Sequence, residues 1–345
     1  MPFADLVDQD HAVMLLRAAA RGGRVSHAYL FAGPAGVGRR SAALAFAQLL
    51  NCQQPDGDAC GRCPSCDAIA AGRHPDVRVV DVSRGMVLDP DDPTRTGIGI
   101  RQILALRRDV VYPPYQGRWK VYILADAETL TPEAANSLLK VLEEPPPRVV
   151  IILIAESTVP LPPTVVSRCQ LVRFALIPLS AVEQALLRRG LRAEDARFAA
   201  ILSGGQLGRA LQWATSEEAR QRREKILDLL ERIERADPLE ILDAAEELAR
   251  DKDALADLLE IALFWYRDLL VWQQTRSDRH LANADRRERI AAAAASTPPA
   301  VLASRLDAVR DAQDALRRNV HPRLLLETLL MRLARPPEEP ARRAT

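Results

Sequence analysis

Five apolar, β-branched-rich runs of strand length punctuate the first half of the chain. They read "AYLFA" (28–32), "VRVVDV" (77–82), "KVYILAD" (120–126), "VVIILIA" (149–155) and "LVRFAL" (171–176). Helical patterns separate them at 39–50, roughly 98–110 and 132–144. Strands apolar along their whole length need cover on both faces, so this order predicts an α/β fold, a parallel sheet with helices on both sides. The helix at 132–144 is the best signalled. Thr131 can cap it, Pro132 suits its first turn and Glu133 meets the positive end of its dipole. Ala135, Leu138, Leu139 and Leu142 form one apolar stripe, and "EEPPP" (143–147) ends the helix.

Strand signals stop past residue 177. A small helical unit is expected over 177–216 and longer amphipathic helices over 217–335, followed by a Pro-rich, polar tail at 336–345 that reads as disordered. The turn-rich loop 83–97 reads as mobile. With 47 basic and 46 acidic residues the net charge is +1, which excludes the strongly basic footprint of a dedicated nucleic-acid binder. The N-terminus has no secretory pattern and no run of about 18 apolar residues occurs, so the reading is a cytoplasmic protein without a membrane span.

The stretch "FAGPAGVGRRSA" (31–42) follows the first strand and opens a helix, as a phosphate-binding loop does. Gly33, Gly36 and Gly38 supply the backbone. The side chains are wrong for catalysis. Arg39 stands where Lys would reach the phosphates, and Arg40 where a hydroxyl would bind magnesium. Ser41 lies one residue late, which turns it about 100° around the helix. Ala125 falls where the metal-holding acid at a strand end is expected, although Asp126 and Glu128 follow it. A turn without any ligand is the bland alternative. Free N–H groups at a helix start and two arginines also suit an inorganic anion.

Cys52, Cys60, Cys63 and Cys66 form a C-x7-C-x2-C-x2-C array with Gly57, Gly61 and Pro64 in the intervening turns. Thiolates this close in sequence can surround one Zn²⁺, and with four ligands the site is structural. Disulfides conflict with a cytosolic setting. His74 follows the cluster without being needed, and Cys169 is the odd one out.

"SHAYLFAGPAGVGR", the four-cysteine module, "TPEAANSLLKVLEEPPP" and "PPTVVSRC" occur in this order. On these motifs the chain resembles the bacterial DNA polymerase III clamp-loader family of AAA+ proteins, and within it the delta-prime type of subunit. The likeness covers about the first 215 residues strongly, with "FWYRDLL" (264–270) as its best echo further on. It implies an AAA+ P-loop-type α/β domain over 1–176 carrying a zinc module (51–67), a helical lid over 177–216 and an all-α collar domain over 217–335. It further implies a hetero-pentameric ring with gamma/tau and delta subunits that loads a sliding clamp on primed DNA. In this family the "SRC" arginine serves a neighbour's ATP, which gives Arg168 that role, with Ser167 and Cys169 beside it. The lid arginine that senses nucleotide falls on Gly208, one residue before Arg209, which reads as a solvated helix residue. The site has thus lost its own machinery at three places while keeping Arg168. That favours a stator that does not bind ATP productively. An active gamma/tau-type ATPase and a zinc-dependent DNA-binding protein are the alternatives. DNA contacts are unassigned, with Lys140 and its helix only candidates.

Overall fold

The computed structural model describes residues 2–81, 97–233, 236–250, 252–318 and 320–334. The loop 83–97, except residue 97, and the tail 336–345 lie outside the described residues. The chain divides into two compact units, Met1–Val182 with Gly205–Gly208, and Glu183–Gly204 with Arg209–Thr345.

The first unit begins with α1 (Asp10–Arg21), β1 (Ala28–Ala32), α2 (Arg39–Asn51), α3 (Pro64–Ala70) and β2 (Val77–Val80). It continues through α4 (Ile100–Asp109), β3 (Lys120–Leu124), α5 (Pro132–Glu143), β4 (Val149–Ala155), α6 (Pro163–Val166) and β5 (Gln170–Arg173). All pairings are parallel and the strand order is β2-β3-β4-β1-β5. Every expected strand is present. β3 and β5 stop short of the apolar runs that announced them, because the final residues of each run leave the ladder, and β2 ends at Val80.

Side chains alternate between two cores. Tyr29, Phe31, Val121, Ile123, Val150 and Ile152 pack with Leu16 of α1 and Phe46 of α2, while Leu30, Tyr122, Leu124, Ile151 and Leu153 pack with Ile103 of α4 and Leu138 of α5. This two-sided cover is why the strands are apolar along their length. At the start of α5 the Thr131 Oγ1 accepts from the Ala134 N–H at 3.2 Å, and Pro132 occupies the first turn. Ala135, Leu138 and Leu142 are buried as the periodicity predicts, and Leu139 sits half-buried beside them.

The second unit is helical. It contains most of α7 (Leu179–Leu187), α8 (Ala193–Ser203), α9 (Leu207–Thr215) beyond its first two residues, α10 (Glu217–Arg232) and α11 (Pro238–Ala249). α12 (Lys252–Thr275), α13 (Arg287–Ser296), α14 (Pro299–Arg317) and α15 (Pro322–Ala334) follow. α12 carries Trp265 and Tyr266 in its core face. The buried Asp268 carboxylate accepts from the backbone N–H groups of Ala282 and Asn283, fixing the turn before α13. Arg209 is not the solvated residue expected. It ion-pairs with Glu260 on α12, and both side chains are largely shielded. Nothing local to "LGRAL" announces a partner 51 residues away. Among the described residues, no helix is long and apolar enough to cross a membrane.

One loop in the first unit depends on a single carboxylate. Buried Asp76 accepts from the N–H groups of Tyr115, Gln116 and Gly117 at 2.6–2.8 Å. Burial pushes its pKa up, but these three donors and His74 outweigh it and hold the acid below the usual carboxylate range. Asp76→Asn is expected to lower unfolding stability at neutral pH by about 1–3 kcal/mol. The ionised acid stabilises the fold above its unfolded pKa, and this contribution disappears as pH falls through the lower folded value. Denaturant unfolding across pH should therefore show the gap between variant and parent closing in acid.

Candidate functional site

The C-terminal ends of β1, β2, β3 and β4 converge, which is where parallel α/β sheets place ligands. The glycine loop leaves β1 there. Gly36 and Gly38 take left-handed φ values of 70° and 103°, and Gly38 caps α2. Gly33 is demanded by packing. A Cβ at that position would lie 2.3 Å from the Phe174 carbonyl oxygen just past β5. The first glycine of the motif is thus needed whether or not phosphate ever binds.

Arg40 pairs with an acid, while Arg39 lies near acids with its buried Nη1 making no hydrogen bond among the described residues. Arg40 Nη1 lies 3.0 Å from Asp81 Oδ2, a buried carboxylate one residue past β2. Arg39 is half-buried within electrostatic reach of Glu128, Glu156 and Asp126. Burial lowers the basicity of its guanidinium, and the three carboxylates counter that in the order given. Arg39 remains a cation, since a guanidinium does not deprotonate in a protein.

Ala125 is buried and donates its N–H to Val80 O at 2.8 Å, with no side chain for a metal. Asp126 follows in left-handed backbone, φ 57°. Its pKa is raised, first by desolvation and then by Glu128 and Asp81, with Arg40 and Arg39 opposing. Glu128 Oε1 accepts from the Glu156 N–H at 3.3 Å, tying the turn after β3 to the end of β4. Asp126 and Glu128 are the strand-end acids expected from the sequence, and the fold adds Asp81 and Glu156 to them. The signal for both is an acid directly after an apolar strand run.

The segment Gly205–Gly208 lies on the loop. Gly208 donates its N–H to Gly36 O at 2.9 Å, and Gly205 O accepts from the Ile177 N–H at 3.0 Å. A Cβ on Gly208 would stand 3.2 Å from Gly36 Cα, closer than comfortable contact between two backbones. The missing side chain at 208 therefore permits the approach.

The four cysteines come together. One Sγ from each of Cys52, Cys60, Cys63 and Cys66 lies within 4.8 Å of the others. A tetrahedral ion with bonds of ~2.3 Å sets its sulfurs roughly 3.8 Å apart, so small adjustments close the cage. Cys52 ends α2, Cys63 caps α3 and Cys66 lies in its first turn. The Cys60 N–H points at Cys52 Sγ at 3.3 Å and the Cys66 N–H at Cys63 Sγ at 3.5 Å, contacts that favour thiolates. Burial pushes the Cys63 thiol up, yet N–H groups of Gln53 and Cys66 and the neighbouring thiols bring it down to about 6. These four residues can hold a metal ion.

Arg168 stands apart from the loop. Its Nη2 lies 2.7 Å from Glu143 Oε1, and its Nη1 donates to Thr164 O at 2.9 Å. Ser167 Oγ donates to the same carbonyl at 3.2 Å. Cys169 packs against the core on the α5 side, and burial pushes its thiol up to about 12. All three residues of the tripeptide are thus anchored, with the Arg168 side chain half-exposed.

The family described as "DNA polymerase III, delta subunit" matches residues 8–178, and "DNA polymerase III, delta subunit, C terminal" matches 217–335. DNA polymerase III subunit delta' of Bacillus subtilis is 30% identical, over 94% of this chain and 96% of that protein. The subunit delta' of Pseudomonas aeruginosa is 33% identical, over 91% and 94%. The chain belongs to the delta-prime subunit family of DNA polymerase III. The gamma/tau subunit of Mycobacterium tuberculosis is also similar, 30% identical over 97% of this chain but only 61% of that protein. A delta-prime family member thus carries a glycine loop whose two flanking cations lie near the sheet's own acids.

Proposed function

We propose that this clamp-loader subunit of the delta-prime family is a non-hydrolysing stator that helps load a sliding clamp onto primed DNA. The observation that carries the reading is the loss of the loop's own catalytic side chains at Arg39, Arg40 and Ala125 beside a retained Arg168. Arg40 pairs with Asp81 and Arg39 lies within electrostatic reach of Glu128, Glu156 and Asp126, while Arg168 is retained on the turn after α6, half-exposed and paired with Glu143. A hydrolysing site sets Lys and Mg²⁺ against the phosphates and needs an acid to hold the metal. Here Arg39, Arg40 and Ala125 stand at those three positions, and Gly208 offers no sensor side chain. The loop glycines Gly33, Gly36 and Gly38 then serve as scaffold, with Asp126 a remnant of the strand-end acid.

In this reading Arg168 serves a neighbouring subunit. A permanent, planar positive charge brought to a transferring γ-phosphoryl group stabilises the charge spread over its oxygens. The partners are gamma/tau and delta subunits in a hetero-pentameric ring, acting in the cytoplasm at the replisome. DNA is met mainly by the whole assembly, as the net charge of +1 suggests, with exposed Lys140 on α5 a candidate contact. Residues 1–176 act as the AAA+ domain, 177–216 as its lid and 217–335 as the collar. Cys52, Cys60, Cys63 and Cys66 would hold a structural Zn²⁺, since four thiolates leave no position for a substrate.

The similarity to gamma/tau subunits favours a second reading, an active ATPase of the same ring. Calorimetry and a turnover assay on the isolated chain separate the two. The stator reading expects no ATP hydrolysis and no binding in the micromolar range. Micromolar Mg–ATP affinity with hydrolysis selects the motor. For the cysteine site, metal analysis of purified protein should find one equivalent of zinc, and strong chelation should lower the melting temperature. Folded protein with far less than one equivalent contradicts a zinc cage.

A further inference from the structure

We propose that Glu143 is a positioning residue for Arg168, holding its guanidinium in the orientation in which a neighbour's phosphate meets it. The inference rests on the reading of Arg168 as a residue offered in trans. Glu143 is the last residue of α5, at the negative end of the helix dipole, where a carboxylate is disfavoured unless a cation compensates it. Arg168 is that cation, at 2.7 Å.

The guanidinium is held from two sides. One terminal nitrogen meets Glu143, the other donates to the Thr164 carbonyl, and that carbonyl is itself steadied by Ser167 Oγ. An arginine on a surface turn otherwise samples many rotamers, and each wrong one lowers the fraction ready to act. Of the five N–H groups of a guanidinium, this arrangement leaves several for an incoming anion.

Both supports stand on firm ground. The start of α5 is capped by Thr131, its inner face is buried, and the prolines from Pro145 onward prevent it from extending past this point. The turn after α6 is closed by N–H bonds from Arg168 to Val165 O and from Cys169 to Val166 O, both 3.2 Å. The pair contributes little to stability, because the Arg168 and Glu143 side chains are 36% and 50% exposed. The same exposure lets a phosphate share the guanidinium without a large penalty. Glu143 therefore matters for orientation, and its test must be kinetic.

The experiment is steady-state ATP hydrolysis by the complex reconstituted with full-length variants of this chain. Glu143→Ala should lower kcat on the order of tenfold, less than the ~10²-fold that misplacing a catalytic group by 1 Å can cost. The KM for ATP should stay unchanged, since the nucleotide sits on the neighbour. Glu143→Gln keeps an acceptor oxygen and should recover most of the rate. The double variant Glu143→Ala with Arg168→Ala should be no slower than Arg168→Ala alone. If Arg168→Ala slows turnover while Glu143→Ala does not, or if Glu143→Ala speeds it, the positioning role is wrong and the trans arginine stands. A Glu143→Ala effect that persists without Arg168 also overturns it. Unchanged turnover with Arg168→Ala removes the trans reading itself.

Discussion

Much of this structure follows from how positive charge is distributed at the C-terminal edge of its parallel sheet. Four acids, Asp81, Asp126, Glu128 and Glu156, lie at or just past the ends of β2, β3 and β4. Such a group of carboxylates needs balancing charge to stay close together. A hydrolysing P-loop protein finds it in its loop lysine and in the magnesium ion that arrives with the nucleotide. Here two arginines stand at the first residues of α2, Arg40 ion-paired with Asp81 and Arg39 within electrostatic reach of the other three acids. A guanidinium neither dissociates like a metal ion nor deprotonates, so these two charges are present in every state of the protein.

With the charge settled internally, the loop is free to serve packing. Gly33 passes against the backbone at Phe174, and Gly208 rests on Gly36 where a larger residue would push the two segments apart. Glycine spacing can therefore outlast the chemistry that usually explains it. Arg168 is the counterpoint, a cation paired with a half-exposed acid on a surface turn. The same residue type meets strand-end acids at one place and a helix-end acid at another, and on the proposed reading only the latter is offered to a neighbour.

Elements whose cause is local were legible in the residues. The strands announced themselves by apolar runs, α5 by its cap and stripe, and the cysteine cage by its spacing. Strand ends were less legible, because an apolar run continues into the loop after the ladder has stopped, as at Leu176 beyond β5. Pairings across long separations were not legible at all. Arg40 with Asp81, Arg209 with Glu260 and Arg168 with Glu143 each join segments that no periodicity connects. The sequence could show that Arg39 and Arg40 were wrong for phosphate. Only the fold shows which carboxylates they face instead.

The most direct measurement is a count of nucleotide in the assembled ring. Equilibrium binding of a non-hydrolysable ATP analogue, with and without this chain, is set beside the hydrolysis rate with ATP. If the chain has lost its own site at Arg39, Arg40 and Ala125 and offers Arg168 to a neighbour, adding it raises the hydrolysis rate but adds no bound nucleotide. One further equivalent of nucleotide bound to this chain, together with turnover that persists when its partners' sites are disabled, would contradict the account.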